Sequence, residues 1–383
     1  MATWDLIWIA VFCGSAAILG WTYAGYSMTL KWLASRLPNS PGPGRGKSEA
    51  GSVSIVIAAR NESARVGSKV RQLLELHSDL VGQIIIVCDH CTDDTAAVVR
   101  AIGDPRVVAI ELQEGPAGKA AALNAGVAQA TGELVFFNDV RQSLAPDAVD
   151  RLAAWFEDPA TGAVSGSLEI QASADGSGKG LDSYWNLEKR LRHHESLLDS
   201  AIGCTGAIYM IRRSLYQPIP HDTVLDDVVI PMQIAAQGAR VLFDPEARAF
   251  DPQPLKGAQE AQRKRRTLAG NFQMLFRHPS WLLPWRHRLW FKLISHKYLR
   301  ILGPVFLAAC MAATLCLQSY PAFKVMLALQ MVCGVLAVTG LVVPGLRGRV
   351  FAFPAAFLLL QWSVVRGFGY WVSMTTRGLQ GWK

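Results

Sequence analysis

Charge is missing from four long stretches of this 383-residue sequence: Leu6 to Leu30, Ile301 to Phe323, Val325 to Leu346 and Val350 to Val365 hold no Asp, Glu, Lys or Arg. A helix crosses the hydrocarbon core with about 20 apolar residues. The first three stretches qualify outright, and the fourth does so with Arg366 near one end or facing a bundle interior. With 51% hydrophobic residues, an ordinary soluble domain is excluded. No basic segment precedes Leu6; Lys31 and Arg36 follow the run instead, which argues for a retained anchor over a cleaved signal peptide. Cysteine is sparse and odd in number, seven in all, with Cys13, Cys310, Cys316 and Cys333 inside expected spans, so a disulfide framework is excluded. Cys88-Asp89-His90-Cys91 lacks a second ligand pair at zinc spacing and reads as a turn after a buried strand. Glycine is absent from Ala59-Arg60-Asn61-Glu62, which argues against a dinucleotide fingerprint, and Gly115–Ala120 lacks both the spacing and the hydroxyl of a phosphate loop. The net charge of +8 is assigned to juxtamembrane Lys and Arg facing anionic lipid; without interleaved aromatic and basic residues on a soluble domain, no nucleic acid is expected.

Lys31, Arg36, Arg45 and Lys47 follow the first span, Arg286, Arg288, Lys292, Lys297 and Arg300 precede the second, and Arg347 and Arg349 separate the third from the fourth. The positive-inside rule then puts the intervening segment in the cytoplasm and both termini outside. Residues 37–52, rich in Pro, Gly and Ser, read as a linker. Beyond it, Val53–Ala58, Ile84–Val87, Val107–Glu111 and Leu134–Phe137 read as buried strands. They alternate with helices near Val66–His77, Thr92–Ala101 and Ala117–Ala130, the pattern of a mostly parallel sheet covered on both faces. Residues 271–300 mix Trp281, Trp285, Trp290 and Phe291 with basic residues, as interfacial amphipathic helices do. The expected organisation is an anchor and linker over 1–50, an α/β domain over 51–270, interfacial helices over 271–300 and three spans over 301–383.

Polar residues recur at successive strand ends: Asn61 and Glu62, then Asp89, then Asp139. In an open α/β sheet, ligands bind outside the carboxyl ends of the strands, so these residues mark a nucleotide-sized site. Asp139 is followed two places on by Arg141, where a second carboxylate would complete a pair for a divalent metal. Taken in order, VSIVIAARNES, IIIVCDHCTDDT, GKAAALNAG, GELVFFNDVRQ and VLDDVVIPMQIAAQG resemble the membrane-bound family 2 glycosyltransferases, which include the cellulose, chitin and hyaluronan synthases. The likeness covers roughly residues 50–300 and implies a GT-A fold with a mixed, mostly parallel sheet, beside interfacial helices and four transmembrane helices.

Carried over residue by residue, the resemblance makes Asp89 the carboxylate that accepts from the uracil of a UDP-sugar. Lys119 becomes the basic residue near the nucleotide, or else only a solvated helix start, and Asn61 and Glu62 line the uridine or cap a helix. Asp139 matches the first acid of the DxD motif that binds diphosphate and its Mg2+ or Mn2+, and Arg141 replaces the second. A guanidinium can bind diphosphate in a bidentate fork and so stand in part for the metal. Asp226 and Asp227 match the family's acidic pair, with Asp227 as the base that takes the acceptor's proton; the alternative is that both cap a helix. Gln262 and Arg265 match QxxRW, with Arg266 in place of its tryptophan; they would hold diphosphate, or form a basic helix against lipid headgroups. Gly203, Gly206 and Trp185 are acceptor candidates, the tryptophan being equally a core residue.

The expected activity is inverting transfer from a UDP-sugar to a growing polysaccharide or a lipid-linked glycan, by a catalytic domain on the cytoplasmic side of the inner or plasma membrane. Alternatives are single-sugar transfer to a polyprenyl phosphate or membrane lipid, and a non-catalytic membrane scaffold. The expected partners are the donor, the acceptor, the bilayer and export components.

Overall fold

The computed structural model describes residues 3–37, 51–76, 78–170, 179–251, 257–343 and 348–377. Most of the expected linker lies outside the described residues. The chain forms two compact units, one from Leu30–Gln259 with His278–Trp290, the other from Met1–Thr29, Glu260–Arg277 and Phe291–Gly378.

The first unit is an eight-stranded sheet with helices on both faces. Its strands are β1 (Val53–Ala59), β2 (Val81–Asp89), β3 (Val107–Leu112), β4 (Leu134–Asn138), β5 (Ser143–Leu144), β6 (Thr161–Ile170), β7 (Ile208–Arg212) and β8 (Arg240–Asp251). They lie in the order β3-β2-β1-β4-β7-β6-β8-β5. β1 pairs in parallel with β2 and β4, as β2 does with β3. β7 runs antiparallel to both β4 and β6, and β6 runs parallel to β8, so the sheet is mixed as expected. The strands are apolar without alternation because both faces are covered. Ile55, Ile57, Ile84 and Ile86 pack on one side with Val66, Val70, Leu73, Ala96 and Val99 from the helices Ser63–Leu74 and Thr95–Arg100. Val56 and Val87 meet the helix Lys119–Gln129 at Gly126. Each buried aliphatic side chain contributes about 1.5–3 kcal/mol relative to exposure. From β1 the chain steps outward to β2 and β3, then returns to the other side of β1 as β4. The split in direction opens a crevice at the carboxyl ends of β1 and β4, the switch point where such sheets bind ligands. Segment His278–Trp290 fastens onto this unit through Arg288, which donates to the carbonyls of Ala235 (3.2 Å) and Ala239 (2.6 Å), and His287 Nε2 lies 3.0 Å from the Met232 carbonyl.

The second unit is helical. Thr3–Ala34, Pro321–Val342 and Arg349–Thr376 are long and apolar enough to cross a membrane. The span expected over 301–323 differs: a 14-residue helix, Gly303–Cys316, follows Trp290–Ile301 at a 64° bend, and the two qualify as a fourth span only together. The reason is local. Pro304 and Pro321 each sit in a first helical turn, where a missing N–H costs nothing, so the helices must restart there. Trp4, Val335 and Phe353 are 72, 61 and 76% exposed, an apolar exterior suited to lipid. Arg366 lies on the exposed side of its helix and does not face a bundle interior. Inside the unit, aromatic contacts join Phe272 to Phe368 and Phe276 to Trp371, at 5.2 and 4.6 Å between ring centroids.

Candidate active site

Asp89 ends β2 fully buried, and both of its oxygens are engaged. Oδ2 accepts the Gly118 N–H at 2.9 Å and Oδ1 lies 2.8 Å from His90 Nδ1. Each oxygen keeps a second lone pair, and the Arg60 guanidinium lies 4.0 Å from Oδ2, but the carboxylate is fully buried. The Gly118 bond also fixes the start of the helix Lys119–Gln129, so one carboxylate joins the end of β2 to the helix that carries the lysine.

Asn61 adopts a positive φ of 55°, a conformation asparagine tolerates better than most residues. Its Oδ1 accepts the Thr92 N–H at 2.8 Å, tying the turn after β1 to the turn after β2. The Glu62 carboxylate faces Arg65 at 3.2 Å, and its side chain makes no capping bond. The helix is capped from the loop after β2, where Asp93 Oδ2 accepts the Ser63 N–H at 3.0 Å. A little desolvation pushes the Asp93 carboxyl up, but hydrogen bonds from Thr95 and Ser63 outweigh it and hold it down at about 2.

Lys119 is the hub. Its Nζ lies 3.0 Å from Asp139 Oδ1 and 3.5 Å from Asp226 Oδ2. Burial works against its charge, but the carboxylates of Asp139 and then Asp226 prevail and hold the ammonium above the ordinary lysine range. Asp226 is 5% exposed; burial pushes it up to about 6, Lys119 pulls the other way, and Asp227 and Asp139 add to the rise. Asp227, the next residue, is half-buried, so of the pair it is the one an acceptor can reach. The N-cap position of the helix Asp226–Ala236 is Leu225, which offers no side-chain capping bond, and both aspartates sit in the first turn, where the dipole favours negative charge.

The acceptor candidates Gly203 and Gly206 close on Asp227 from the other side. Gly203 has a φ of 82°, and a Cβ on it would lie 3.1 Å from the Asp227 carbonyl. A Cβ on Gly206 would lie 3.1 Å from Asp227 Oδ2. Pro231 stands four residues after Asp227 and has no N–H, so the helix leaves that carbonyl free. Cys204 N–H fills the vacancy at 2.7 Å and docks the Gly203–Gly206 loop on the acid. The same loop is held by Arg192 donating to Thr205 Oγ1 (2.6 Å), Thr205 N–H donating to Ser165 Oγ (2.8 Å), and Asn138 donating to the Ala207 carbonyl.

Other expected residues have partners of their own or belong to the other unit. Arg141 is half-buried and donates to Asp251 Oδ2 at the end of β8, so its guanidinium is engaged by a carboxylate. Gln262, Arg265 and Arg266 lie on the helix Gly257–Arg277, in its part belonging to the helical unit, where Arg265 sits 4.8 Å from the Tyr370 ring centroid. Trp185 belongs to the helix Lys179–Leu198, and its side chain lies outside the described residues.

Among the described residues, no three His, Cys, Asp or Glu side chains gather as a metal cage. The donor set at Asp139 is a single accessible carboxylate beside an ammonium, which fits an ion that takes most of its ligands from a diphosphate. Three positions escaped the sequence reading. Asn124 clamps the segment leading to Asp226: its Oδ1 accepts from Tyr216 Oη (2.6 Å) and Ile219 N–H (3.0 Å), and its Nδ2 donates to the Ile219 carbonyl (2.7 Å). Pro231 carried a signal in its spacing from Asp227. Lys69 lies on the stripe Val66-Lys69-Val70-Leu73, and a charge on an apolar helical face is itself a signal.

Residues 54–219 match the model of glycosyl transferase family 2. The chain is 24% identical over 251 residues to a poly-beta-1,6-N-acetyl-D-glucosamine synthase of Staphylococcus aureus, covering 64% of this chain and 59% of that protein. It therefore spans little more than half the length of such curated relatives. It is 29% identical over 150 residues to a beta-monoglucosyldiacylglycerol synthase of Synechocystis, covering 36% of this chain and 31% of that protein. Among solved structures, it superposes on the mannosyltransferase PcManGT of Pyrobaculum calidifontis, in complex with GDP-Man and Mn2+, with a TM-score of 0.67 at 20% identity, over 95% of this chain and 97% of that one. That likeness shows the fold, which is GT-A.

Proposed function

We propose, for a chain that carries a glycosyltransferase family 2 domain, that it moves a sugar with inversion from a UDP-sugar to a growing polysaccharide or lipid-linked glycan at the cytoplasmic face of the cell membrane. The observation that carries this reading is the half-buried Asp227 set beside Lys119, Asp139 and Asp226 at the switch point of the sheet. Asp227 takes the proton of the acceptor hydroxyl while that oxygen attacks the anomeric carbon from the face opposite the diphosphate. The bond between the anomeric carbon and the diphosphate oxygen breaks, and UDP leaves with the electron pair. Lys119 meets the charge that develops on the leaving oxygen. A Mg2+ or Mn2+ ion arriving with the donor would be held by Asp139 and would offset further diphosphate charge. The apolar helices suit an acceptor that stays at the bilayer, the GDP-Man bound by the mannosyltransferase named above supports a nucleotide-sugar donor on this fold, and the likeness to the synthase supports a polysaccharide product.

A second reading, one-sugar transfer to a membrane lipid or polyprenyl phosphate, is favoured by Arg266 where the processive synthases carry the tryptophan of QxxRW. Purified full-length protein in lipid, incubated with a panel of UDP-sugars, separates the two by UDP release and product size. Release with long products supports the first reading, and release with one-sugar lipid products moves the assignment to the second. Absence of release with every donor would overturn both. EDTA is expected to stop release and Mn2+ to restore it.

Gly206→Ala tests the placement of the base. The added Cβ crowds Asp227 Oδ2, so the carboxylate must shift by a few tenths of an ångström. We expect kcat to fall by about tenfold with the donor KM little changed, since misplaced groups lose rate steeply. An unchanged kcat would mean that the loop does not set the position of Asp227.

A further inference from the structure

Lys69 is 4% exposed, on the buried face of the helix Ser63–Leu74 beside Val66, Val70 and Leu73. Its Nζ donates to the Gln142 carbonyl at 2.6 Å and to Gln72 Oε1 at 3.2 Å. Among the described residues it has no carboxylate within ion-pair range. A buried ammonium without a direct counter-ion is costly, and apolar residues of similar volume usually serve a core as well or better. Here the ammonium sits under the segment Asp139–Gln142 that joins β4 to β5. Gln142 is 5% exposed, and its Nε2 donates to Asp251 Oδ2 at 3.3 Å, the same oxygen that receives Arg141. The segment is therefore pinned at its far end from two sides, by Lys69 from the helix and by Asp251 from β8. Asp139 is left as its accessible member, 38% exposed and facing Lys119. Burial pulls the Lys69 ammonium down to about 7, and the Asp139 carboxylate acts on it through space in the opposite direction, favouring the charged form.

We propose that Lys69 is a positioning residue for the donor diphosphate: it holds the Asp139–Gln142 segment by the Gln142 carbonyl and adds a buried positive charge beneath Asp139. Arg141 belongs to the same device, as the group that joins the segment to Asp251. The inference rests on the reading that this crevice takes a nucleoside diphosphate sugar.

The test is UDP affinity by calorimetry on the full chain in lipid, with Mn2+ present, alongside the unfolding midpoint of each variant. Lys69→Met keeps the length and removes the donor and the charge. It is expected to weaken UDP binding by about 10- to 100-fold, the usual effect of losing a charge-assisted hydrogen bond, while the midpoint stays level or rises. A midpoint that falls while UDP affinity stays within twofold would make Lys69 a purely structural support and overturn the proposal. Should Lys69→Met fail to fold, Lys69→Gln keeps an N–H donor without the charge and decides the matter, a smaller loss of affinity supporting the proposal and an unchanged affinity refuting it. Wild-type protein that binds no UDP would defeat the donor reading instead, and affinity lost only in the variants leaves that reading intact.

Discussion

Asp227→Asn is expected to lower turnover by about 10²- to 10⁴-fold, the range that a positioned general base supplies, with UDP affinity nearly unchanged. The amide is isosteric and keeps the main-chain bond from Cys204, so the loop at Gly203 and Gly206 stays docked. It cannot accept the acceptor's proton, however. Asp226 is no substitute: it is buried, one residue away on the helix, and its Oδ2, itself shielded from solvent, faces the ammonium of Lys119. Steady-state kinetics with a fixed donor gives the answer. A variant that turns over at the wild-type rate would mean that the proton goes elsewhere and that the two aspartates serve only the helix dipole.

The strand ends were legible because each follows a short, unbroken apolar run. Val53–Ala58 and Leu134–Phe137 fall inside β1 and β4, and Asp89 and Asp139 lie at strand ends as read. Their partners were less legible, since contacts across long sequence separations leave no local trace. Arg141 looked available to phosphate because Asp251, more than a hundred residues on, is invisible in the local pattern. Asn124 lay within a quoted segment, but its clamp on residues 216–219 depends on how the helix Lys119–Gln129 meets that loop. The broken span after Ile301 is the opposite case, because Pro304 and Pro321 announce both restarts and the absence of charge masked them.

Lys119→Met carries the second large effect, on donor binding. In the folded protein one ammonium stands among Asp139, Asp226 and Asp227, so three acids share one cation before a diphosphate adds about two further negative charges. Two unit charges about 4 Å apart interact by roughly 4 kcal/mol at the effective dielectric of a protein surface, so removing the cation leaves repulsion that the donor cannot enter cheaply. Part of it is relieved by protonation. Asp226 already sits at about 6 although Lys119 pulls it down, and without that pull it moves further up, toward the neutral form. Helix start and sheet are unaffected, because Asp89 holds the Gly118 N–H and not the lysine side chain. We therefore expect UDP to bind about 100-fold more weakly, in line with the loss of a charge-assisted contact worth up to about 3 kcal/mol. Lys119→Arg should recover part of the loss because it restores the charge with a different shape. Calorimetric titration with UDP decides it: undiminished affinity in Lys119→Met would place the lysine outside the donor site and return it to a solvated helix start.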